Sequence, residues 1–179
     1  ADGYFVLPYT IGDYLADEIR TGEISTDLPE FVQAEKEVRD RLDSLMNIKG
    51  TKSVDYFHKE LGKVMWNNCG MARNEKDLKE AGVKIRAIRE EFYKDLRIPG
   101  SAMELNPELE KATRVADFLE LGELFAKDAL NRNESCGGHF RDESVELDGP
   151  QKGEAKRDDV NYKYVAAWEW MGDPGEAKL

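Results

Sequence analysis

Apolar residues recur at spacings of three and four along the chain as far as residue 131, the pattern of amphipathic α-helices. Each repeat opens at a side chain that can accept a hydrogen bond from the free N–H groups of a helix start. Four helices are predicted, beginning at Asp27, at Thr51 or Ser53, at Asn74 and at Asn106, and ending near 50, 69, 98 and 131. Helices joined by short polar connections pack antiparallel around one core. The pattern therefore predicts an all-α fold, an antiparallel helical bundle of three long helices that resembles a spectrin repeat, with additional shorter helices.

The first 26 residues are dense in aromatic and aliphatic side chains. Pro8 suits the first turn of a helix and Gly22 lies where a helix would stop, so a short helix from Pro8 to Ile19 is predicted. This segment is too apolar for a solvated arm, and we expect it to pack on another surface. In the chain on its own, exposed Phe5 and Leu7 would promote self-association.

Beyond residue 131 the helical periodicity fails, because glycine and proline interrupt a charged stretch. One apolar cluster remains, Tyr162 to Met171, which would form a strand or lie across the bundle. We therefore expect an arm at 1–26, a helical bundle at 27–133 and an irregular tail at 134–179 that packs on the bundle.

The charge and length of the chain exclude several classes of protein. The 179 residues suit one compact domain with a flanking arm, and 26 basic against 37 acidic residues give a net charge of -11, which disfavours nucleic-acid binding. No apolar run is long enough to span a membrane, and no leader is recognisable at the start. Two cysteines are too few for a disulfide framework. We expect a soluble intracellular protein and, since the chain lacks an initiator Met, a piece of a longer one.

Few residues are candidates for chemistry. His58 is predicted to be an exposed or half-packed imidazole, and Cys136 with His139 supplies only two of the four ligands of a closed zinc site. Gly137 and Gly138 match neither the P-loop pattern nor the Gly-x-Gly-x-x-Gly pattern of dinucleotide binding. They are predicted to close the fourth helix in a left-handed turn. The residues alone therefore indicate no catalytic, cofactor-binding or metal-ligating group.

Three segments resemble one family in their order and spacing. They are LGKVMWNNCGMAR at 61–73, RNESCGGHFR at 132–141 and RDDVN at 157–161. All three are similar to the carboxy-terminal domain of the succinate dehydrogenase/fumarate reductase flavoprotein subunit. The opening residues, 1–16, look like the stretch that follows the last flavin-contacting segment of that family, so the resemblance assigns the 1–26 arm to the end of the flavin-binding domain.

The resemblance implies a function for the parent protein. That protein would interconvert succinate and fumarate by hydride transfer at a covalently attached FAD and pass electrons to an iron–sulfur subunit. It would be a peripheral subunit on the cytoplasmic side of the inner membrane, with a membrane-anchor subunit as a further partner. The catalytic and flavin-linked residues of the family lie upstream of Ala1, so this piece is expected to be inactive and to bind no FAD.

The chain departs from the family at two positions, since Cys136 stands where the family has an arginine and Gly138 where it has an alanine. A thiol cannot replace a guanidinium fork, so the anchoring that this arginine gives elsewhere is either absent here or supplied by another residue, with Arg132 and Arg141 the nearest substitutes. We expect the turn after the fourth helix to hold the tail on the bundle and to face the flavin-binding domain. The residues assigned to this structural and interface role are Arg132, Glu134, Ser135, His139, Arg157, Asp158 and Asp159.

Two alternatives stay open. A related flavoprotein such as L-aspartate oxidase would have the same helical tail, although the stretch Tyr56 to Gly70 favours the succinate/fumarate branch, and the sequence upstream would decide. A free-standing helical interaction module would instead show a start and a stop codon flanking this segment.

Overall fold

The computed structural model describes residues 1–17 and 22–179, and these residues divide into two units, 1–40 and 41–179. Helices account for most of the described structure, and the prediction of an all-α fold is confirmed. The α-helices are α1 (Asp2–Tyr9), α2 (Pro29–Met46), α3 (Val54–Asn68), α4 (Glu75–Asp95), α5 (Pro107–Asn131) and α6 (Asp159–Tyr162). Two short strands, β1 (Ala72–Arg73) and β2 (Phe140–Arg141), pair in parallel.

The core of the second unit lies between α3, α4 and α5, each of which contacts the other two. The rings of Phe57 at the start of α3 and Phe92 near the end of α4 lie 5.3 Å apart, so these helices run antiparallel. Asp55 and Lys111, near the starts of α3 and α5, form an ion pair at 3.5 Å, so α3 and α5 run in the same direction. The three helices form an up-down-up bundle.

Three helix starts lie where the sequence predicts them. Ser53 accepts a hydrogen bond from the N–H of Tyr56, and Asn74 accepts one from the N–H of Asp77. Asn106 accepts from two N–H groups at the start of α5, where proline is the first helical residue. Each side chain satisfies a donor that the helix itself leaves free.

The predicted helix in the opening segment differs from the observed one. Helix α1 begins at Asp2 rather than at Pro8, and it continues into a π-helical turn over Thr10–Tyr14. Pro8 lies inside α1, where its missing N–H leaves one carbonyl of the preceding turn without its helical partner. The rest of this apolar segment is helical nonetheless, so one proline does not set the helix start. The predicted end at Ile19 lies outside the described residues.

The apolar stripe predicted for α2 is buried only in part. Leu45 is buried and Leu42 packs against the core of the second unit. Phe31 and Val38, on the same predicted stripe, are 47% and 58% exposed. The helical periodicity is therefore correct, but it overstates how much of this helix is covered.

Two long helices end earlier than predicted, and the first of them, α2, ends at Met46 rather than near 50. Helix α4 ends at Asp95 rather than near 98, because Leu96 and Ile98 are buried as extended chain and Leu96 forms a parallel bridge with Lys52. Gly50 lies directly against this segment, and its N–H donates to the carbonyl of Leu96 at 3.0 Å.

The tail is mostly irregular, with the four-residue helix α6 and a 3-10 turn at Pro174–Glu176. The cluster from Tyr162 to Met171 forms no extended strand. Only Glu169 makes an isolated antiparallel bridge, with Lys178. No helix among the described residues is both long and apolar enough to cross a membrane.

Candidate functional site

The carboxyl end of α5 is closed by a buried arginine from β2. Arg141 is 2% exposed, and its Nη1 donates to the carbonyls of Ala129 at 3.0 Å, Leu130 at 3.2 Å and Arg132 at 3.4 Å. Its Nε donates to Glu143 Oε2 at 3.0 Å. A cation is favourable here because the free carbonyls at a helix end carry partial negative charge. Arg141 therefore supplies the cap that α5 lacks within its own last turn.

His139 lies beside this cap with both ring nitrogens occupied. Arg73 Nη1 lies 2.7 Å from Nδ1, and the carbonyl of Arg132 lies 2.7 Å from Nε2. A guanidinium can only donate and a carbonyl can only accept, so Nδ1 is the acceptor and Nε2 carries the proton. Burial lowers the pKa of His139, and the positive charges of Arg73, Arg132 and Arg141 lower it further. The imidazole is a neutral structural link and has no free nitrogen for proton transfer.

Glu134 joins the end of α5 to the tail. Its side chain is 3% exposed, Oε1 accepts from Arg132 Nη2 at 2.7 Å, and Oε2 accepts from the N–H of Asp158 at 3.0 Å. Burial on its own raises the pKa of this carboxyl, but the Asp158 N–H and the Arg132 guanidinium outweigh it, so the pKa lies below its usual value. Glu134 is thus an ionised group with a partner on each oxygen.

Ser135 holds the same turn through its hydroxyl and its main chain. Oγ donates to the carbonyl of Arg141 at 3.1 Å and accepts from the N–H of Arg141 at 2.8 Å. The Ser135 N–H donates to the carbonyl of Lys156 at 2.9 Å. A side chain that is fully buried and hydrogen-bonded in this way fixes the path of the backbone.

The segment at 157–159 contains two different arrangements. Asp158 caps α6, and hydrogen bonds from the Asn161 side chain and N–H lower its pKa. Arg157 Nη2 donates to Asp159 Oδ1 at 2.7 Å, and both side chains are largely exposed. Asp158 is therefore joined to Glu134 through its backbone, whereas the Arg157–Asp159 ion pair lies at the surface.

The two glycines of this region do not close α5, contrary to the sequence-based prediction. Helix α5 ends at Asn131, and Gly137 and Gly138 are the central residues of a hairpin in which Cys136 and His139 exchange two backbone hydrogen bonds. Gly137 has φ +59°, the left-handed backbone that such a tight hairpin needs. These glycines bring His139 back toward the end of α5.

The positions of two arginines of this cluster have no signal in the sequence. Arg141 is indicated there only as a substitute for a missing guanidinium, and nothing distinguishes Arg73, although it lies in the first of the three matching segments. Arg73 is placed by β1, which pairs with β2, and its guanidinium also lies 4.9 Å from the ring centroid of Phe125. The contact between Arg73 and His139 joins residues 66 positions apart and has no local sequence signal.

Among residues 1–17 and 22–179, the structure shows neither a metal-binding group nor a dinucleotide-binding turn. No three His, Cys, Asp or Glu residues within 1–17 and 22–179 lie close enough together to hold a metal ion. The β1–β2 pair is two residues long, and no glycine-rich turn connects it to a following helix in the way that a dinucleotide requires. The described residues therefore do not fit an FAD-binding cradle.

Comparisons with known proteins agree with the resemblance seen in the sequence. The family described as "Fumarate reductase flavoprotein C-term" matches residues 58–179. The fumarate reductase flavoprotein subunit of Haemophilus influenzae is 30% identical over 157 residues, which cover 88% of this chain and 24% of that protein. The succinate dehydrogenase flavoprotein subunit of Bacillus subtilis is 28% identical over 106 residues, which cover 59% of this chain and 18% of that protein.

Solved structures show the same relation. A variant of the Escherichia coli quinol fumarate reductase matches with a TM-score of 0.65 at 26% identity, over 84% of this chain and 24% of that one. The Sdh1 complex of Mycobacterium smegmatis in its apo form matches with a TM-score of 0.58 at 28% identity, over 75% of this chain and 22% of that one. The chain spans about a quarter of the length of the first curated relative. It belongs to the family of fumarate reductase and succinate dehydrogenase flavoprotein carboxy-terminal domains.

Proposed function

We propose that this chain is the carboxy-terminal structural domain of an FAD-dependent oxidoreductase that interconverts succinate and fumarate. The observation that carries the proposal is the family match over 58–179, which includes all three segments that the sequence singles out. Two of those segments supply the hydrogen-bonded cluster at the end of α5, and the third supplies Arg73. The role proposed for this cluster is to hold the tail on the bundle beside the flavin-binding domain.

The chemistry of the cluster favours a structural role over a catalytic one. Glu134 has a partner on each carboxylate oxygen, and His139 has one on each ring nitrogen. A general acid or base needs a free position within reach of the proton that it transfers. We therefore place hydride transfer and FAD binding in the preceding part of the longer protein, and we expect the 179-residue chain to have no activity of its own.

The domain organisation and the partners follow from the same proposal. The arm at 1–26 would complete the flavin-binding domain, 27–133 would be the helical bundle, and 134–179 would be the tail. The longer protein would pass electrons to an iron–sulfur subunit and associate with a membrane-anchor subunit, as a peripheral protein on the cytoplasmic side of the inner membrane. In the isolated chain the exposed side chains of α1, such as Tyr4 at 80% and Phe5 at 63%, would favour self-association.

The proposal is tested by purifying the 179-residue chain and the longer protein side by side. We expect a flavin absorption band and succinate oxidation with an artificial electron acceptor only in the longer protein. Flavin bound near one equivalent per 179-residue chain, or turnover by that chain, would contradict the assignment. Self-association would make the apparent mass of the isolated chain in light scattering rise with concentration. If Phe5→Ser removes this rise, self-association through α1 is supported.

The structural role of the cluster needs a separate measurement in the longer protein. Glu134→Gln keeps an oxygen that can accept from the Asp158 N–H but removes the charge that pairs with Arg132. We expect a lower melting temperature with an unchanged turnover number per bound FAD. A variant of normal stability that loses turnover would show instead that Glu134 takes part in catalysis.

A further inference from the structure

A groove runs between α5 and the last part of the tail, and its walls are apolar and aromatic. Its volume is about 440 Å³, which lies within the range of known ligand pockets. Trp168 and Trp170 line it from the tail, and Leu121 and Leu124 line it from α5. Indole rings are among the side chains that most often anchor protein contacts.

The tail segment that forms one wall is held in place by several contacts. Trp168 Nε1 donates to Asp128 Oδ1 at 2.8 Å, and the N–H of Glu169 donates to the carbonyl of Lys178 at 2.7 Å. Lys127 Nζ donates to the carbonyls of Gly175 at 2.7 Å and Ala177 at 2.6 Å. The groove is therefore formed before any partner arrives, which reduces the entropy lost on binding.

The charges of the groove are acidic. Its lining contains Asp117 and Glu120 and no basic residue. Asp117 is paired with Arg41, whereas Glu120 has no ion pair within the described part of the chain. A second groove of about 400 Å³ shares Glu120 and Trp170 with the first, and its lining adds Lys94 and Arg89, the latter paired with two other carboxylates. Glu120, which forms no ion pair within the described residues, thus lies beside a tryptophan where the two grooves meet.

The aromatic rings provide the second element of a cation site. Trp168 already has a cation near it, since Lys127 Nζ lies 5.2 Å from its ring centroid. Trp170 is 57% exposed, and within 1–17 and 22–179 no aromatic ring or cation stacks on it. A guanidinium binds such a surface well, because it stacks flat on an aromatic face and also donates to a carboxylate.

We propose that this groove binds an arginine-bearing segment of a separate partner protein, with a guanidinium stacked on Trp170 and paired with Glu120. The charge of the whole chain, -11, attracts a basic partner toward it, and the groove selects where the contact forms. The inference is independent of the proposed enzymatic role, because it rests on the groove alone.

The test is isothermal titration calorimetry of the 179-residue chain with an acetylated hexa-arginine peptide. Trp170→Ala should weaken binding about tenfold and Glu120→Gln about threefold to tenfold, the range expected for one cation–π contact and one partly exposed ion pair. Trp170→Phe keeps an aromatic face and should restore part of the affinity. Hexalysine should bind more weakly than hexa-arginine, because an ammonium cannot stack in the same way.

Two matched controls separate the groove from general charge attraction. Trp66→Ala removes a tryptophan that is 85% exposed on α3, and Glu104→Gln changes the net charge by the same amount as Glu120→Gln. Both should leave the affinity unchanged. Absence of binding, equal effects of the groove variants and their controls, or equal affinity for the two peptides would overturn the proposal. So would self-association of the chain that Trp170→Ala abolishes, since the occupant would then be a second copy.

Discussion

Replacing Glu134 by Ala should destabilise the second unit measurably, because this carboxylate connects two segments that have no helix in common. The substitution removes the acceptor of the Asp158 N–H and the partner of the Arg132 guanidinium. It also removes the Cγ methylene of a side chain that is 3% exposed, since alanine keeps Cβ. The tail would lose one of its connections to the turn that follows α5, while the hydrogen bond between the Ser135 N–H and the Lys156 carbonyl would remain.

The magnitude depends on which of these losses solvent can compensate. The Asp158 N–H, left without a partner in a part-buried site, costs about 1 to 2 kcal/mol, and the lost buried methylene costs roughly 1 kcal/mol more. Arg132 is 37% exposed, so water can hydrate its guanidinium and the ion pair itself adds little. We expect a loss of about 2 to 3 kcal/mol, which corresponds to roughly 6 to 9 °C in melting temperature for a unit of this size.

The assay is urea and thermal unfolding followed by far-ultraviolet circular dichroism at neutral pH. Glu110→Ala is a suitable control, because its ion pair with Arg114 is exposed and should contribute less than about 0.5 kcal/mol. The folded pKa of Glu134 lies below its usual 4.5, so its stabilisation is complete above pH 4.5 and is lost as the pH falls through the folded value. Equal unfolding midpoints for Glu134→Ala and Glu110→Ala would refute the stabilising role assigned to Glu134.

Three further predictions concern the stability of the second unit and involve His139, Arg141 and Gly50. The folded pKa of His139 lies below its usual 6.5, so the stability that the neutral imidazole provides is complete above pH 6.5. It is lost as the pH falls through the folded value, by up to about 1.4 kcal/mol per pH unit. His139→Gln should flatten this pH profile in urea titrations. Arg141→Ala removes the guanidinium that donates to the last carbonyls of α5 and to the Glu143 carboxylate, and it should cost about 3 kcal/mol in chemical denaturation. A loss below about 1 kcal/mol would contradict the role of Arg141 as the cap of α5. Gly50→Ala would place a Cβ directly against the backbone of Asp95, with no room for it, and should cost about 3 kcal/mol. Gly62→Ala meets open space inside α3 and should raise stability by about 0.5 to 1 kcal/mol in the same assay.

The parts of the fold that local chemistry determines could be predicted from the sequence. Helix α5 begins where Asn106 precedes a proline, and its apolar positions are buried as the periodicity requires.

Where a local signal is ambiguous, the prediction was wrong. Pro8 marks a helix start in one context and lies inside α1 in this one. The burial of α2 also depends on tertiary contacts that periodicity cannot specify, so Phe31 remains exposed although it lies on the apolar stripe.

The candidate site could be located from the sequence, but its internal connections could not. Arg132, Glu134, Ser135, His139 and Asp158 lie in one hydrogen-bonded network, while Arg157 and Asp159 pair mainly with each other at the surface. The network is made largely of side chains bonded to backbone groups. Backbone groups carry no residue-specific signal, so the sequence indicates which segment matters without indicating which contacts it makes.

The substitution at Cys136 shows how tertiary contacts supply what a local motif lacks. The family resemblance places an arginine there, and sequence reasoning looked for its replacement in Arg132 or Arg141. Arg141 does bind the carbonyls at the end of α5, while Arg132 is committed to Glu134 and Arg73 binds the imidazole of His139. Arg73 and Arg141 are register partners in the parallel β1–β2 pair, so this two-residue ladder brings both guanidinium groups to one helix end. Arg141 and Arg73 thus bind the carbonyls at the end of α5 and the ring of His139, while position 136 holds a half-buried thiol.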